Sequence, residues 1–532
     1  MGGKTLPWYF LGVSNASGQF DISGTMWLVT IGFVYGLKSI WLPWLWPTFN
    51  QVFLAVYLSM WLRRSNVTTG AQWIETRFGK GVGSTLSHTI VVIFALIGAL
   101  GFLAYGFVGL GKFVQIFIPW EAVEPYVGFH VAAQYVPHVY GIVFTLAAVL
   151  YTILGGMTSI VMADLLQYTI MTVSGIVVAV IAMTSLAHHP LNVPEGWMSP
   201  WFGWNLNMDW TGIIAEVNRK IAEDQFSLFS IIVMLMLFKG ILASVAGPAP
   251  NYDMQKILAT RSPREASLMS AFVNVVLYFP RYLLVAGFVV LGLLFYGQLN
   301  LTSAGRLDFE QVMPSVINEF VPAGWTGLLL AGLAAAFVGT FSGTLNAAQA
   351  YAVNDLYMKY INPKAPNSRI AMVNYGTGVV IVILSIVLGV FAQNVNSLLQ
   401  WIVSALYGSY VASNMLKWYW WRFNAHGYFW GMVTGLVPAL VVPLLWPDVR
   451  PWGAWGPIRK LVEAEDPKFE RNRDFKRDMV NVFVGMIWQT AVVVLPFYLV
   501  LMRWTGVAVA VAILAVASVF LKRNWYDRLP AQ

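Results

Sequence analysis

The sequence predicts an all-α polytopic membrane protein in which two inverted five-helix repeats are followed by accessory helices. Three observations predict this fold class: charge is scarce, thirteen apolar stretches are long enough to cross a bilayer, and two of them are interrupted at corresponding places. Charged residues make up only 11% of the 532 residues, and hydrophobic residues make up 58%. Soluble proteins carry about 25% charged residues. The composition therefore excludes a soluble enzyme, and its hydrophobicity excludes a disordered chain.

A spanning helix needs about 20 mostly apolar residues, and stretches A to M meet this requirement. They are A 8–37, B 40–62, C 82–118, D 136–155, E 157–186, F 226–246, G 266–298, H 324–357, I 369–393, J 396–420, K 425–446, L 479–502 and M 505–521. The predicted regions are a first inverted repeat (1–186, helices A to E), an extracellular aromatic loop (187–225), a second inverted repeat (226–422, helices F to J) and an accessory C-terminal region (423–532).

The distribution of Lys and Arg predicts the orientation. If the residues before helix A are cytoplasmic, the loops on that side up to helix K hold most of the basic residues, among them Arg63, Arg64 and Arg77. Cytoplasmic loops are enriched in Lys and Arg. We therefore expect a multi-pass protein of the cell (inner) membrane with a cytoplasmic N-terminus. The net charge of +8 then needs no nucleic-acid partner, and the lack of cysteine excludes disulfides and thiolate metal sites.

Helices A and F are both interrupted. In helix A, small and polar residues cluster between Ser14 and Thr25, and helix F ends in Gly247, Pro248 and Pro250. F is the fifth helix after A, and an odd number of helices per repeat inverts the second repeat relative to the first. Paired interruptions of this kind predict a transporter whose site lies at the breaks. The alternative is a proline kink in one helix and a loop end in the other.

Four ionisable residues lie at membrane depth, where charge is rare and usually functional. They are Asp21, Asp164, Lys239 and Arg281. Either they form structural ion pairs, or the acids coordinate a cation and the bases capture an anion. Helix H adds the hydroxyls of Thr340, Ser342 and Thr344 among small residues. Small residues alone favour a packing face, whereas hydroxyls also suit a hard cation that prefers oxygen ligands.

Several motifs resemble those of the sodium/solute symporter family, which includes sodium-coupled sugar, proline, sialic acid and iodide carriers. The segment 155–167 is similar to the family's Gly-Gly…Asp-x-x-Gln signature, and Asp21-Ile22-Ser23-Gly24 is similar to the Asp-Met-Ser-Gly of proline carriers. Thr340 to Asn346 with Asp355-Leu356-Tyr357, and Gln255-Lys256 before Leu258-Ala259, also resemble family motifs. The resemblance implies a LeuT-type five-plus-five inverted repeat and sodium-driven alternating access. Family members usually carry one helix ahead of the segment in which this sequence begins, and the transport core does not need that helix.

The resemblance also implies site residues. The main sodium site would use the carbonyls of Gln19, Ile22 and Ala336 and the hydroxyl of Thr340, and Asp164 with Ser342 would contribute to a second one. The family usually has two adjacent hydroxyl residues here, and in this sequence the first is Gly339. The residues expected to bind substrate are Asp21, Ser23, Gly24, Trp44, Lys239, Asn251, Tyr252 and Arg281.

The sequence therefore predicts a sodium-coupled secondary active symporter that imports a small organic solute, either a sugar or an organic anion. A proton-coupled or uncoupled carrier of the same fold is the alternative. A membrane-embedded enzyme using His188 and His189, or a sensor, is less favoured, because no metal-ligand spacing is present. We expect no catalytic residues and no metal beyond sodium. The expected partners are the substrate and the lipid bilayer, with no nucleic acid, and the chain is expected to be a monomer.

Overall fold

The structure is a computed structural model. It describes residues 6–45, 49–67, 69–154, 157–201, 208–224, 241–248, 252–303, 306–391, 408–435, 445, 456–465 and 474–530. Within these ranges the chain is helical apart from loops and one two-residue hairpin, in which Thr302–Ser303 (β1) pairs antiparallel with Arg306–Leu307 (β2). The predicted all-α class is confirmed.

Within the described residues up to His188, the chain contains nine α-helices. They are α1 Trp8–Gln19, α2 Ile22–Tyr35, α3 Asn50–Phe53, α4 Ser59–Arg64, α5 Gly70–Phe78, α6 Val82–Phe117, α7 Trp120–Val127, α8 Val136–Leu154 and α9 Met157–His188. Predicted helix A is therefore two helices, as expected from its polar interruption. Predicted helix B is not one regular α-helix where the structure describes it. Its first residues belong to the 3₁₀ segment Gly36–Leu45, and from Asn50 the π-helical turn Leu54–Leu58 joins α3 to α4 in one unbroken helix.

The rest of the described chain contains twelve α-helices. They are α10 Glu216–Asp224, α11 Ala243–Val245, α12 Tyr252–Ala259, α13 Pro263–Leu294, α14 Val312–Phe320, α15 Ala323–Ala350, α16 Asn367–Val390, α17 Gly408–Tyr419, α18 Ala425–Thr434, α19 Gly456–Glu465, α20 Phe475–Val500 and α21 Trp504–Asn524. A π-helical segment, Tyr351–Ile361, extends α15. Most of predicted helix F and parts of J and K lie outside the described residues.

Short polar side chains begin several of these helices. Asp21, Thr69 and Ser262 each accept a hydrogen bond from a backbone N–H three residues further on, at the starts of α2, α5 and α13. Such caps satisfy N–H groups that have no partner inside the helix. Pro263 follows Ser262 at the first helical position, where its fixed φ suits the helix.

Nine helical segments of the described chain are long and apolar enough to cross a membrane, against about thirteen predicted for the whole sequence. Among them, α2 and α13 are largely buried, whereas α16 and α21 expose most of their surface. On α21, for example, Val516 is 73% exposed. Apolar side chains on an outer surface are expected where lipid is the solvent. The chain therefore has an inner layer, in which α1, α9, α13 and α15 meet, and an outer layer facing the bilayer.

The predicted aromatic loop is folded onto the inner layer where the structure describes it. Trp197 and Trp210 are fully buried, and their indole N–H groups donate to the carbonyls of Phe33 (3.0 Å) and Val34 (3.1 Å). These carbonyls lie at the end of α2, where a helix leaves acceptors without partners. The two tryptophans thus cap α2 from the loop. The regional boundaries and the extracellular side assigned to the loop stay predictions.

Candidate functional site

The first break separates α1 from α2. Helix α1 stops at Gln19 because Phe20 (ψ 50°) and Asp21 (ψ 162°) leave helical geometry. The Asp21 carboxylate then caps α2 by accepting from the N–H of Gly24 at 2.9 Å. The carbonyl end of one half-helix and the N–H end of another therefore meet inside the bundle. The first carries partial negative charge and the second partial positive charge.

Three polar side chains gather beside α2 at this break. Arg281 donates from Nη2 to Asp21 Oδ1 over 3.3 Å, and both side chains are mostly buried, at 13% and 15% exposure. A Cβ added at Gly24 would collide with Arg281 Nη2 and would lie 2.9 Å from the Tyr105 hydroxyl. Ser23 donates to the Tyr105 carbonyl at 3.2 Å. The structure therefore brings together four of the expected substrate residues, Asp21, Ser23, Gly24 and Arg281. Tyr105 was not predicted.

A cluster of oxygen atoms lies on the other side of the break, where α1 ends against α15. The Thr340 hydroxyl is 2.7 Å from the carbonyl oxygen of Gly18 and 2.9 Å from that of Ala336. Of the sodium residues expected from the resemblance, Ala336 and Thr340 therefore meet at the end of α1. Gln19 is the last residue of α1 and Ile22 the first of α2. The carbonyl that contacts Thr340 belongs to Gly18, one residue before the predicted Gln19.

Asp164 places a carboxylate against the same stretch of α15, at Gly339. It lies on α9, is 2% exposed, and accepts from the Ser14 hydroxyl through Oδ2 at 2.5 Å. Its Oδ1 is buried and has no hydrogen-bond partner among the described residues. A Cβ at Gly339 would lie 2.7 Å from this Oδ1 and 3.2 Å from the Gln167 Oε1. The space that a hydroxyl side chain would take at position 339 is thus occupied by two side-chain oxygens from α9.

Ser342 has a different neighbour from the one expected. Its hydroxyl is 2.6 Å from the hydroxyl of Thr152 on α8, whereas Asp164 bonds to Ser14. The second sodium site expected from Asp164 and Ser342 is therefore not joined by a direct bond and stays a prediction. Within the described chain, no group of three or more His, Cys, Asp or Glu side chains could hold a metal ion.

The second break follows α11. Gly247 takes a positive φ of 81°, and its missing Cβ would lie 2.8 Å from the Trp418 Nε1. Trp418 donates to the carbonyl of Ala246 at 2.8 Å, and Asn50 donates to that of Gly247 at 2.6 Å. Carbonyls freed by an interrupted helix need such partners in an apolar bundle.

Four expected substrate residues cannot be assessed through their side chains. Lys239 and Asn251 lie outside the described residues. Trp44 lies in the 3₁₀ segment Gly36–Leu45, and Tyr252 begins α12, but only their backbone is described. Their contribution to the site stays a prediction.

Comparison with known proteins tests the resemblance seen in the motifs. A family model described as the sodium:solute symporter family matches residues 1–435. The chain belongs to the sodium:solute symporter family. The match covers both interrupted helices, and the predicted family is confirmed.

Two relatives of this symporter-family chain illustrate the breadth of the match. The sodium/glucose cotransporter of Vibrio parahaemolyticus is 22% identical over 469 residues, which cover 84% of this chain and 79% of that one. The sodium/myo-inositol cotransporter 2 of Oryctolagus cuniculus is 23% identical over 426 residues, 73% of this chain. The chain spans only 56% of the length of the rabbit protein.

A solved structure supports the fold. The substrate-bound, outward-open structure of a Na⁺-coupled sialic acid symporter superposes with a TM-score of 0.57 at 16% identity, covering 84% of this chain and 91% of that one. At this identity the likeness shows the fold alone. The expected LeuT-type architecture of this symporter-family chain is thereby confirmed.

Proposed function

We propose that the protein is a sodium-coupled symporter that imports a small organic solute by alternating access. The observation that carries this proposal is the oxygen cluster between α1, α9 and α15. It combines the carbonyls of Gly18 and Ala336 with the hydroxyl of Thr340, and the open Oδ1 of Asp164 faces Gly339, the residue before Thr340. Hard cations prefer oxygen ligands of these three kinds.

Two side chains of α9 that lie beside Gly339 support a sodium site that lacks the second hydroxyl of the family pattern. Asp164 Oδ1 and Gln167 Oε1 both point at the place where that side chain would stand. A carboxylate oxygen carries more negative charge than a hydroxyl, so its attraction to a desolvated cation is stronger. We therefore assign sodium to the first break, with Asp164 as its charged ligand, and Gln19 and Ile22 as neighbouring carbonyl ligands.

For the solute we propose a neutral polyhydroxylated molecule of the sugar or polyol class. Arg281 is already paired with Asp21, so the carboxylate of an organic anion would have to displace Asp21 to reach it. Hydroxyl groups both donate and accept hydrogen bonds. The hydroxyls of a sugar or polyol can therefore donate to Asp21 and accept from Arg281 while these two residues stay paired. The glucose and myo-inositol named for the two relatives belong to this class.

The proposal also covers oligomeric state, membrane location and partners. We propose a monomeric transporter, not an enzyme, in the inner membrane with its N-terminus in the cytoplasm. Its partners are then the solute, sodium and lipid. The orientation rests on the basic residues of the loops.

Uptake by proteoliposomes tests the proposal. Radiolabelled glucose, myo-inositol and a monocarboxylate are each offered with an inward sodium gradient, with an equal potassium gradient and with an inward proton gradient. We expect accumulation of a polyol or sugar in sodium alone. Uptake driven by protons contradicts sodium coupling, and sodium-driven uptake of the monocarboxylate alone contradicts the substrate class.

A further inference from the structure

A cavity of about 650 Å³ lies at the end of the bundle where α20 turns into α21, away from the proposed sodium and solute sites. Met198 and Ser199 of the predicted extracellular loop line one side of it. Tyr498, Arg503 and Thr505 line the other side. Pockets of this volume are large enough for a small organic ligand or a lipid headgroup.

The loop side of this cavity is held by the segment that follows α2. The N–H of Leu37 donates to the carbonyl of Trp197 at 2.9 Å, and the indole N–H of Trp41 donates to the carbonyl of Pro200 at 2.8 Å. These two bonds lie on either side of the two loop residues that line the cavity. The cavity wall is therefore a fixed part of the fold.

Two basic side chains lie at the cavity without an acidic partner in the part of the chain that the structure describes. Arg503 donates to the thioether sulfur of Met198 at 2.7 Å, and sulfur is a weak acceptor. The Lys38 ammonium lies 3.1 Å from the place where a Cβ of Gly196 would stand, and Gly196 also lines the cavity. Glu195 is within ion-pair distance of neither base. The cavity therefore favours an anionic ligand.

The cavity also adjoins a surface that faces lipid. It lies at the turn between two candidate membrane spans, and Trp201 and Trp504 beside it are 82% and 62% exposed. Tryptophan is enriched where a membrane meets water. Below Thr505, the exposed side chains of Val509 and Val516 continue along one face of α21 at helical spacing. An acyl chain can lie along this exposed stripe.

We propose that the cavity binds the headgroup of an anionic phospholipid of the phosphatidylglycerol class, with one acyl chain along the exposed stripe of α21. Arg503 is the main phosphate ligand, because its planar fork of N–H donors matches two phosphate oxygens. Lys38 adds a second positive charge. A free phosphate would meet the two bases but not the apolar stripe, so the stripe favours a lipid. The site does not depend on the proposed sodium and solute sites.

Native mass spectrometry of the full chain, purified in detergent, tests the site. The probes are dioleoyl phosphatidylglycerol, dioleoyl phosphatidylcholine and glycerol 3-phosphate. The two lipids share their acyl chains and differ in headgroup charge, and glycerol 3-phosphate carries the phosphate without acyl chains. We expect phosphatidylglycerol to stay bound at concentrations at which phosphatidylcholine is lost and glycerol 3-phosphate does not bind.

Three variants locate the binding. Arg503→Gln removes the guanidinium and is expected to weaken phosphatidylglycerol binding by about tenfold, the scale of a hydrogen bond to a charged group. Lys38→Gln is expected to weaken it by about threefold, as for a partly exposed ion pair. Arg523→Gln removes a basic residue at the other end of α21 and is the matched control. It is expected to bind phosphatidylglycerol like the parent.

Several results would overturn the site. Equal binding of phosphatidylglycerol by the Arg503→Gln protein and its parent does so, as does an equal loss in the Arg503→Gln and Arg523→Gln proteins. Equal retention of the two lipids overturns the anionic headgroup, and binding of glycerol 3-phosphate as tightly as lipid overturns the lipid in favour of a soluble phosphate. Should Arg503→Gln fail to fold, Lys38→Gln decides, and unchanged phosphatidylglycerol binding there overturns the proposal.

Discussion

The carbonyl of Gly18 at the first break meets the hydroxyl of Thr340, whereas the carbonyls of Ala246 and Gly247 at the second break meet the N–H groups of Trp418 and Asn50. Indole and amide N–H groups only donate, so they satisfy these two carbonyls of the second break without a cation. A hydroxyl also has lone pairs that can bind a cation, and the carboxylate of Asp164 lies against Gly339, the residue before Thr340.

This difference assigns separate roles to two breaks that look alike in sequence. The first break gathers oxygens whose combined negative charge a cation would balance. At the second break, the two described carbonyls of Ala246 and Gly247 each accept from a neutral donor, so they have less need of a cation. We therefore expect sodium binding to respond to substitutions around the first break and to ignore those around the second.

The largest effect is expected for Asp164→Asn at the first break. The amide keeps the shape but removes the charge, and an interaction with a charged group contributes about 1.5–3 kcal/mol. We expect the sodium concentration for half-maximal uptake to rise by about 10- to 100-fold. Uptake is measured against sodium concentration in proteoliposomes. An unchanged half-maximal concentration would show that Asp164 is structural.

Gly339→Ala tests the space around the Asp164 carboxylate instead of its charge. The new Cβ would stand 2.7 Å from Asp164 Oδ1, so the carboxylate has to move away from the cluster. We expect sodium affinity to fall by about tenfold, which corresponds to about 1.4 kcal/mol. Gly324→Ala, near the start of α15 with no atom within 4 Å of its added Cβ, is the control. Equal sodium affinity in the two variants would contradict the crowding at Gly339.

Arg281→Gln addresses the solute side of the first break. Loss of the guanidinium breaks the pair with Asp21 at 3.3 Å. We expect the solute concentration for half-maximal uptake to rise by about fivefold to tenfold, the scale of one hydrogen bond of about 1 kcal/mol. Sodium stabilisation of the purified protein should change much less. A larger change in sodium response than in solute response would place Arg281 at the ion site instead.

Trp418→Phe is expected to have the smallest effect on sodium binding. It removes the N–H that binds Ala246, and a buried acceptor left without a donor costs about 1–3 kcal/mol of stability. The melting temperature should fall, while the rise in melting temperature caused by sodium stays the same. Loss of that sodium effect would mean that the second break also takes part in ion binding.

Much of the fold is readable from the sequence because its signals are local. Apolar length predicts the spans, and the polar cluster after Ser14 and the residues Gly247 and Pro248 predict the breaks. Helix B is the exception. Its composition is mostly apolar, but it begins in the 3₁₀ segment Gly36–Leu45 and contains the π-helical turn Leu54–Leu58. Average hydropathy does not detect such changes in backbone geometry.

The site is less readable because its contacts are not local. Ser14 and Asp164, for example, are 150 residues apart. Family resemblance supplied Ala336 and Thr340, but it recorded Gly339 only as a missing hydroxyl. The arrival of Asp164 and Gln167 in that space depends on how α9 packs against α15, which no spacing along the chain expresses.

The bond from Thr340 to Gly18 has a consequence for the other half of a transport cycle. In an alternating-access cycle, the empty binding site must become open again to the first side of the membrane. Carbonyls without hydrogen-bond partners would raise the free energy of that step. In the proposed transport cycle, the Thr340 hydroxyl that donates to the Gly18 oxygen would cover this oxygen during that step. Rotation about a single side-chain bond would then turn a lone pair of the hydroxyl oxygen toward the next incoming ion.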